Sequence, residues 1–255
     1  MRIIRDIIDF ILPRHCTICS CRLLGSERMV CSSCMSAIHQ TRYHEMEHSP
    51  MEKMMWGRLP VEKAVAFCYY ANKEAKKAVL DNKFHNRPEV GYCLALMYAR
   101  QLMAASSFFK GIDLTVPVPI SGRRRMARGY NQSYSIAKGI SEVAGIPVAA
   151  DVARKVRHTR PQTKLTRGER EENVKDAYMV TKPEKLVGKH VLIVDDVITT
   201  GATIMAFGAQ LAKVKGVRMS VLTLAHATNR MHPAEGNDDI EFSLYGIPML
   251  ENDGS

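Results

Sequence analysis

The stretch from Val191 to Thr203, VLIVDDVITTGAT, constrains the fold of this chain more than any other. Val191, Leu192, Ile193 and Val194 form an unbroken aliphatic run, the pattern of a strand covered on both faces in a parallel sheet flanked by helices. Asp195 and Asp196 follow where that strand is expected to end, and ligands of open α/β sheets bind at the carboxyl ends of strands. Two carboxylates there suit a pair of vicinal hydroxyls. Next come Thr199, Thr200, Gly201, Ala202 and Thr203, in which Gly201 permits a tight turn and the threonines add hydroxyl donors. A helix opening at Gly201 would present unpaired N–H groups and the positive end of its dipole to an anion. A capped strand-to-helix turn accounts for any one of these features, but together they describe a sugar-phosphate site. No GxxxxGK[ST] loop occurs, and no GxGxxG follows a strand, which excludes the common nucleotide-binding fingerprints.

The rest of the chain alternates in the same way. Val61 to Tyr70 reads as a strand, and Glu74 to Phe84 and Glu89 to Ala105 as helices. Ile112 to Pro119, IDLTVPVP, reads as a buried strand stopped by prolines, which should hold the next residues, Ile120 to Arg128, as an extended loop. In that loop Ser121 and Gly122 offer backbone donors and Arg123, Arg124 and Arg128 offer charge, a composition suited to an anion. Tyr130 to Ala144 is predicted as a helix, Val148 to Val156 and Ala177 to Val180 as strands, Met205 to Lys213 as a helix, and Val217 to Ala225 as the last strand. The alternation implies an α/β fold with a doubly wound, mainly parallel sheet. Arg157 to Asn173, RHTRPQTKLTRGEREEN, is long, polar and aperiodic, as expected of a cover over an anion site.

Ahead of this domain, Cys16 and Cys19 form one CxxC and Cys31 and Cys34 a second. Two such knuckles complete a tetrahedral four-thiolate zinc site, closed and therefore structural. Cys21 competes with Cys19 for a place in it, and spacing favours Cys19. His15 and His39 flank the knuckles and read as surface, while Cys68 and Cys93 fall in apolar runs and read as small core residues. Disulfides are the alternative, but the opening MRIIRDIIDFILP is interrupted by Arg5, Asp6 and Asp9 and lacks a small-residue cleavage site. It reads as a short amphipathic helix with Ile3, Ile4, Ile7, Ile8 and Ile11 on one face, and the expected location is cytoplasmic. No run approaches the roughly 18 to 20 apolar residues of a membrane span, so no membrane insertion is expected. The 255 residues divide into a helix and zinc ribbon at 1–40, a linker at 41–60, the α/β domain at 61–230 and an acidic tail at 231–255.

The net charge of +10 is concentrated. Between Ser121 and Lys175 thirteen Lys and Arg stand against five Asp and Glu, whereas the residues after Pro233 carry acids and no Lys or Arg. Such a block is either a solvated face or the binding surface of a polyanion: a pyrophosphate, a nucleic-acid backbone, or both.

VLIVDDVITTGAT resembles the phosphoribosyl pyrophosphate (PRPP) motif of type I phosphoribosyltransferases. Joined to VPVP with RRRMARGYNQS, to RHTRPQTKLTRGEREENVKDAY and to the paired CxxC, it resembles the ComF family, phosphoribosyltransferase-like proteins linked to natural competence and DNA uptake. The likeness runs from about Cys16 to Ala225, and its nearest enzyme pattern is that of the amidophosphoribosyltransferase catalytic domain. It implies a type I phosphoribosyltransferase fold with a small N-terminal zinc ribbon ligated by Cys16, Cys19, Cys31 and Cys34. Asp195 and Asp196 would hold the ribose hydroxyls of PRPP, Thr199, Thr200, Gly201, Ala202 and Thr203 its 5'-phosphate, and Pro119, Ser121, Gly122, Arg123 and Arg124 its pyrophosphate with Mg2+. Catalysis would fall to Asp195, Asp196, Arg160 and Gln162, under a lid that includes Arg167 and Arg170 and excludes water. Thr199 stands where purine-salvage members carry an acid that takes a proton from the incoming base. No glutaminase domain is read ahead of the fold, so full amidophosphoribosyltransferase activity is not expected, and the resemblance names a donor and no acceptor. Three functions follow: Mg2+-dependent phosphoribosyl transfer; single-stranded DNA binding through Arg128, Arg167 and Arg170, with only Tyr130 and Tyr134 as stacking partners; and docking of the zinc ribbon on a helicase-like competence ATPase.

Overall fold

The computed structural model describes residues 13–25, 27–71, 73–84, 87–156 and 177–228; the expected N-terminal helix, the expected lid with Arg160, Gln162, Arg167 and Arg170, and the acidic tail lie outside them. In chain order the elements are α1 (Ser32–Ala37), α2 (Pro50–Met55), β1 (Val61–Tyr69), α3 (Lys73–Phe84), α4 (Pro88–Ala105), β2 (Leu114–Pro117), α5 (Gly122–Arg128), α6 (Gln132–Ala144), β3 (Ala153–Lys155), β4 (Tyr178–Val180), β5 (His190–Ile198), α7 (Ala202–Leu211) and β6 (Arg218–His226). The main sheet has the order β1-β6-β5-β2, and every pairing in it is parallel. The fold is therefore mixed α/β around a parallel sheet.

β5 sits inside that sheet and is buried along almost its whole length. The aliphatic run requires this, since alternate side chains point to opposite faces and each face must be covered. α6 packs against β2 and β5, and α7 packs against β5 and β4. α4 crosses α6 closely at Gly139, where an added Cβ would lie 2.4 Å from the Tyr92 carbonyl oxygen and 3.1 Å from Ala95 Cβ. β3 and β4 make a separate antiparallel ribbon, shorter than the strands read from the sequence.

Two segments differ from expectation in conformation. Ile120 to Arg128, read as an extended loop, contains helix α5: the Ser121 hydroxyl caps it by accepting from Arg124 N–H at 3.3 Å, and Gly129 closes it at φ +76°. The prolines at 117 and 119 stop the strand but do not reach far enough to prevent a helix that carries its own caps at both ends. Residues 41–60, expected to be a linker, hold a 3-10 turn at Tyr43–Glu45 and helix α2. Ser49 and Glu52 form a capping box on α2. The same two side chains bind Ala64 of β1, the Ser49 hydroxyl donating to its carbonyl at 2.8 Å and a Glu52 carboxylate oxygen accepting from its N–H at 3.1 Å. Just upstream, Thr41 N–H donates to Phe67 O and Tyr69 N–H to His39 O, so residues 39–41 cover the outer edge of β1. Among the described residues no helix is long and apolar enough to cross a membrane.

At the end of β6, the buried Tyr43 hydroxyl lies 2.8 Å from His226 Nδ1. Burial pushes His226 down from the ordinary 6.5 to about 4, and burial likewise lowers His44 and His190. Burial thus disfavours protonation of these rings in the folded chain relative to the unfolded one, so stability should fall as pH drops below about 6.5, for His226 down towards 4. Urea midpoints taken at about pH 7 and pH 5 should show that loss, and His226→Gln should reduce its slope by up to about 1.4 kcal/mol per pH unit. Gly139→Ala should cost about 1–3 kcal/mol in the same measurement, because Tyr92 O is backbone and cannot swing away.

Candidate functional site

The carboxyl ends of β2 and β5 open side by side. The β2–β5 ladder runs from Leu114↔Val191 to Pro117↔Val194, and Val118 N–H extends it by donating to Val194 O at 2.9 Å. Asp195 and Asp196 lie within β5 itself, near its end, and are nearly buried. Asp195 Oδ1 accepts from the Ser133 hydroxyl at 2.9 Å and from Asp196 N–H at 2.9 Å. Asp196 Oδ1 accepts from Val197 N–H at 2.8 Å. Ser133 belongs to the first turn of α6, whose N-cap Asn131 accepts from Ser133 N–H and donates its amide to Val118 O at 3.0 Å. One turn of helix thus fixes both an acid at the end of β5 and the exit of β2.

The surroundings of the two acids differ. In the β3–β4 ribbon burial first, and then Arg124, lower Lys155, and burial first, and then Asp195, raise Tyr178. Tyr70 and Tyr130 are raised mainly by burial, and Asp196 adds to both. Beyond β5, Thr199 and Thr200 are exposed, Gly201 turns at φ +75° as the N-cap of α7, and Ala202 and Thr203 are exposed in its first turn. The backbone amides of that turn are available to an anion. Gly201 is also crowded, since a Cβ there would stand 2.9 Å from Met54 Sδ of α2 and 3.1 Å from Met205 Cε. Arg123 and Arg124 project from α5 into solvent, with Pro119 and Ser121 half-buried ahead of them. Of the residues singled out from sequence, the structure gathers Asp195, Asp196 and the Thr199–Thr203 loop at one strand end. Ser133 and Asn131 were missed. Their signal was present in GYNQS, an Asn placed to cap the helix that follows.

Five thiols converge near the N-terminus. The sulfurs of Cys16, Cys19, Cys21 and Cys31 lie within 4.8 Å of one another, and Cys19 Sγ is 3.7 Å from Cys31 Sγ. Tetrahedral zinc with Zn–S bonds of about 2.3 Å has an S–S edge of about 3.8 Å, so the donor set and its size fit a metal such as zinc. Cys34, on α1, is buried against the same group and interacts with Cys19, Cys31 and Cys16. Cys31 caps α1, its sulfur accepting from Cys34 N–H, and Cys31 N–H in turn donates to Cys16 Sγ at 3.3 Å. Backbone and thiol contacts from Cys21 hold the Cys19 thiol down at about 6, which favours the thiolate a metal needs. Glu27 braces the loop between the knuckles, accepting from Leu24 N–H and from Ser32 N–H and Oγ–H.

A family model described as the phosphoribosyl transferase domain matches residues 131–245. That segment is similar to a phosphoribosyl transferase domain. The chain is 27% identical over 192 residues to the DNA utilization protein YhgH of Escherichia coli (strain K12), covering 74% of this chain and 80% of that one. It is 33% identical over 116 residues to Competence protein F of Haemophilus influenzae, covering 45% of this chain and about half (51%) of the relative, and 29% identical over 106 residues to Competence protein ComFC of Bacillus subtilis, covering 42% and 40%. Together the domain and these relatives support a ComF-type phosphoribosyltransferase-like protein. Among solved structures the chain is similar to glutamine phosphoribosylpyrophosphate (PRPP) amidotransferase from B. subtilis, at 21% identity and a TM-score of 0.39, covering 56% of this chain and 30% of the longer one.

If the CxxC spacing selects the ligands, Cys34→Ser should lose bound zinc and Cys21→Ser should keep about one zinc per chain, as measured by metal analysis of purified protein. Chelation of the wild type should lower its melting temperature.

Proposed function

We propose that this protein binds PRPP with Mg2+ and transfers its phosphoribosyl group to a nitrogen acceptor. The observation that carries the reading is the Asp195 carboxylate, fixed by the Ser133 hydroxyl at the end of β5, immediately ahead of the Thr199–Thr203 loop and the N-terminus of α7. Asp195 and Asp196 accept hydrogen bonds from the ribose hydroxyls, and the loop with its exposed amides holds the 5'-phosphate. Pro119, Ser121, Gly122, Arg123 and Arg124 face the pyrophosphate. As the bond between C1 and the pyrophosphate oxygen breaks, its electron pair leaves with pyrophosphate and positive charge grows on the sugar, where the two acids stabilise it; the lone pair of the acceptor nitrogen forms the new bond to C1, and the nitrogen's proton passes to solvent. Mg2+ supplies charge neutralisation on the phosphate oxygens. Arg160, Gln162, Arg167 and Arg170, carried on the segment after β3, exclude water from the reacting sugar. The proposed zinc ligands remain Cys16, Cys19, Cys31 and Cys34, with a structural role.

A role in handling DNA is supported by relatives named for competence and DNA utilization, and by the exposed Arg123, Arg124 and Arg125 and the half-buried Arg128 of α5. In that reading single-stranded DNA lies along Arg124 and Arg128, PRPP acts as a regulatory ligand, and the zinc module docks on a helicase-like ATPase. Calorimetry with PRPP and Mg2+, with and without an oligonucleotide, separates the two. Transfer predicts tight PRPP binding by the wild type, weakened about tenfold or more by Asp195→Asn, with pyrophosphate release once an acceptor is supplied. Binding of the oligonucleotide that weakens with salt and with Arg124→Ala, in protein that releases no pyrophosphate with any base or amine, would favour the second.

A further inference from the structure

Five thiols converge where a closed tetrahedral metal site uses four. With Cys16, Cys19, Cys31 and Cys34 as the ligands, the thiol left over is Cys21. Its sulfur lies within 4.8 Å of those of Cys16, Cys19 and Cys31. Between Cys19 and Cys21 the chain turns at Ser20, whose φ of +62° lies in the left-handed region that disfavours a side chain. Ser20 N–H donates to Cys16 O and Cys16 N–H donates to Cys21 O, each at 2.8 Å, and the two bonds fix that turn. Exposure divides the group. Cys16, Cys31 and Cys34 are buried, whereas Cys19 and Cys21 face solvent. A solute that reaches the cluster therefore meets Cys19 and Cys21 first.

We propose that Cys21 is an oxidation site that controls retention of the metal, with a peroxide as the oxidant. The assignment rests on the reading of the two CxxC pairs as the metal ligands. In a site of four thiolates alone the metal occupies every sulfur, whereas the fifth thiol supplies an unoccupied one beside them. The Cys21 sulfur attacks one peroxide oxygen, the O–O bond breaks, and a sulfenic acid and one water form. The Cys19 sulfur then attacks the Cys21 sulfur, an S–S bond forms, and the sulfenic hydroxyl leaves with a proton from solvent as a second water. The two cysteine sulfurs lose two electrons in all, and the peroxide takes both. The metal loses one of its four ligands and with it the closed tetrahedral shell. Cys31 is the poorer partner for Cys21, because its sulfur is buried and caps α1 by accepting from Cys34 N–H.

Hydrogen peroxide added to the zinc-loaded full chain tests this, with released zinc followed by a chromophoric chelator and disulfides located by peptide mass mapping. The wild type should release about one zinc per chain as a Cys19–Cys21 disulfide forms, and a thiol reductant should restore zinc binding. Cys21→Ser and Cys21→Ala should hold zinc before treatment and release it about tenfold more slowly in peroxide. Cys93→Ser, a change at the half-buried thiol of α4, should behave as the wild type. Release from the Cys21 variants at the wild-type rate, or a disulfide that omits Cys21, overturns the assignment and leaves the metal site standing. Loss of zinc from the untreated Cys21 variants makes Cys21 a ligand and overturns the assignment too. A wild type that binds no zinc overturns the reading of the ligands and the assignment with it.

Discussion

The hydrogen bond from Ser133 to Asp195 joins the two halves of this site. A nearly buried carboxylate at the end of a central strand is unfavourable unless hydroxyl and amide donors surround it. Here one donor comes from the first turn of α6, whose cap also grips the exit of β2. The position of α6 depends in turn on its close approach to α4 at a glycine with no room for a methyl group. Helix packing far from solvent therefore sets where an acidic oxygen meets the crevice.

Much of this was legible in the sequence, for identifiable reasons. β5 announced itself because full burial demands an unbroken aliphatic run, and the paired CxxC because metal geometry restricts spacing. The acids were placed at the strand end, yet β5 continues through them to Ile198, since backbone pairing with β6 goes on as far as His226 regardless of side-chain polarity. α5 was read as extended because proline dominates its approach, while the decisive signals were its two capping residues. The role of Ser133 depends on a contact across 62 positions of chain, which no local pattern encodes.

The hardest part to read was residues 39–60. Their polar, Met-rich composition suits a linker, but their polar groups are spent on β1: Thr41 and His39 on its edge, Ser49 and Glu52 on Ala64. An edge strand needs such cover, and composition alone does not say which segment supplies it. The fifth thiol shows a similar limit. Spacing selects four of the cysteines, whereas folding brings Cys21 into the group as well.

Met54 against Gly201 ties these parts together. The side chain comes from α2, and the glycine is the N-cap of α7. Leu59, just after α2, meets Gly208 farther along the same helix in the same manner. The segment joining the cysteine module to the domain is thus a buttress behind the start of α7. Any strain on the cysteine module therefore has a short mechanical route to the loop between β5 and α7.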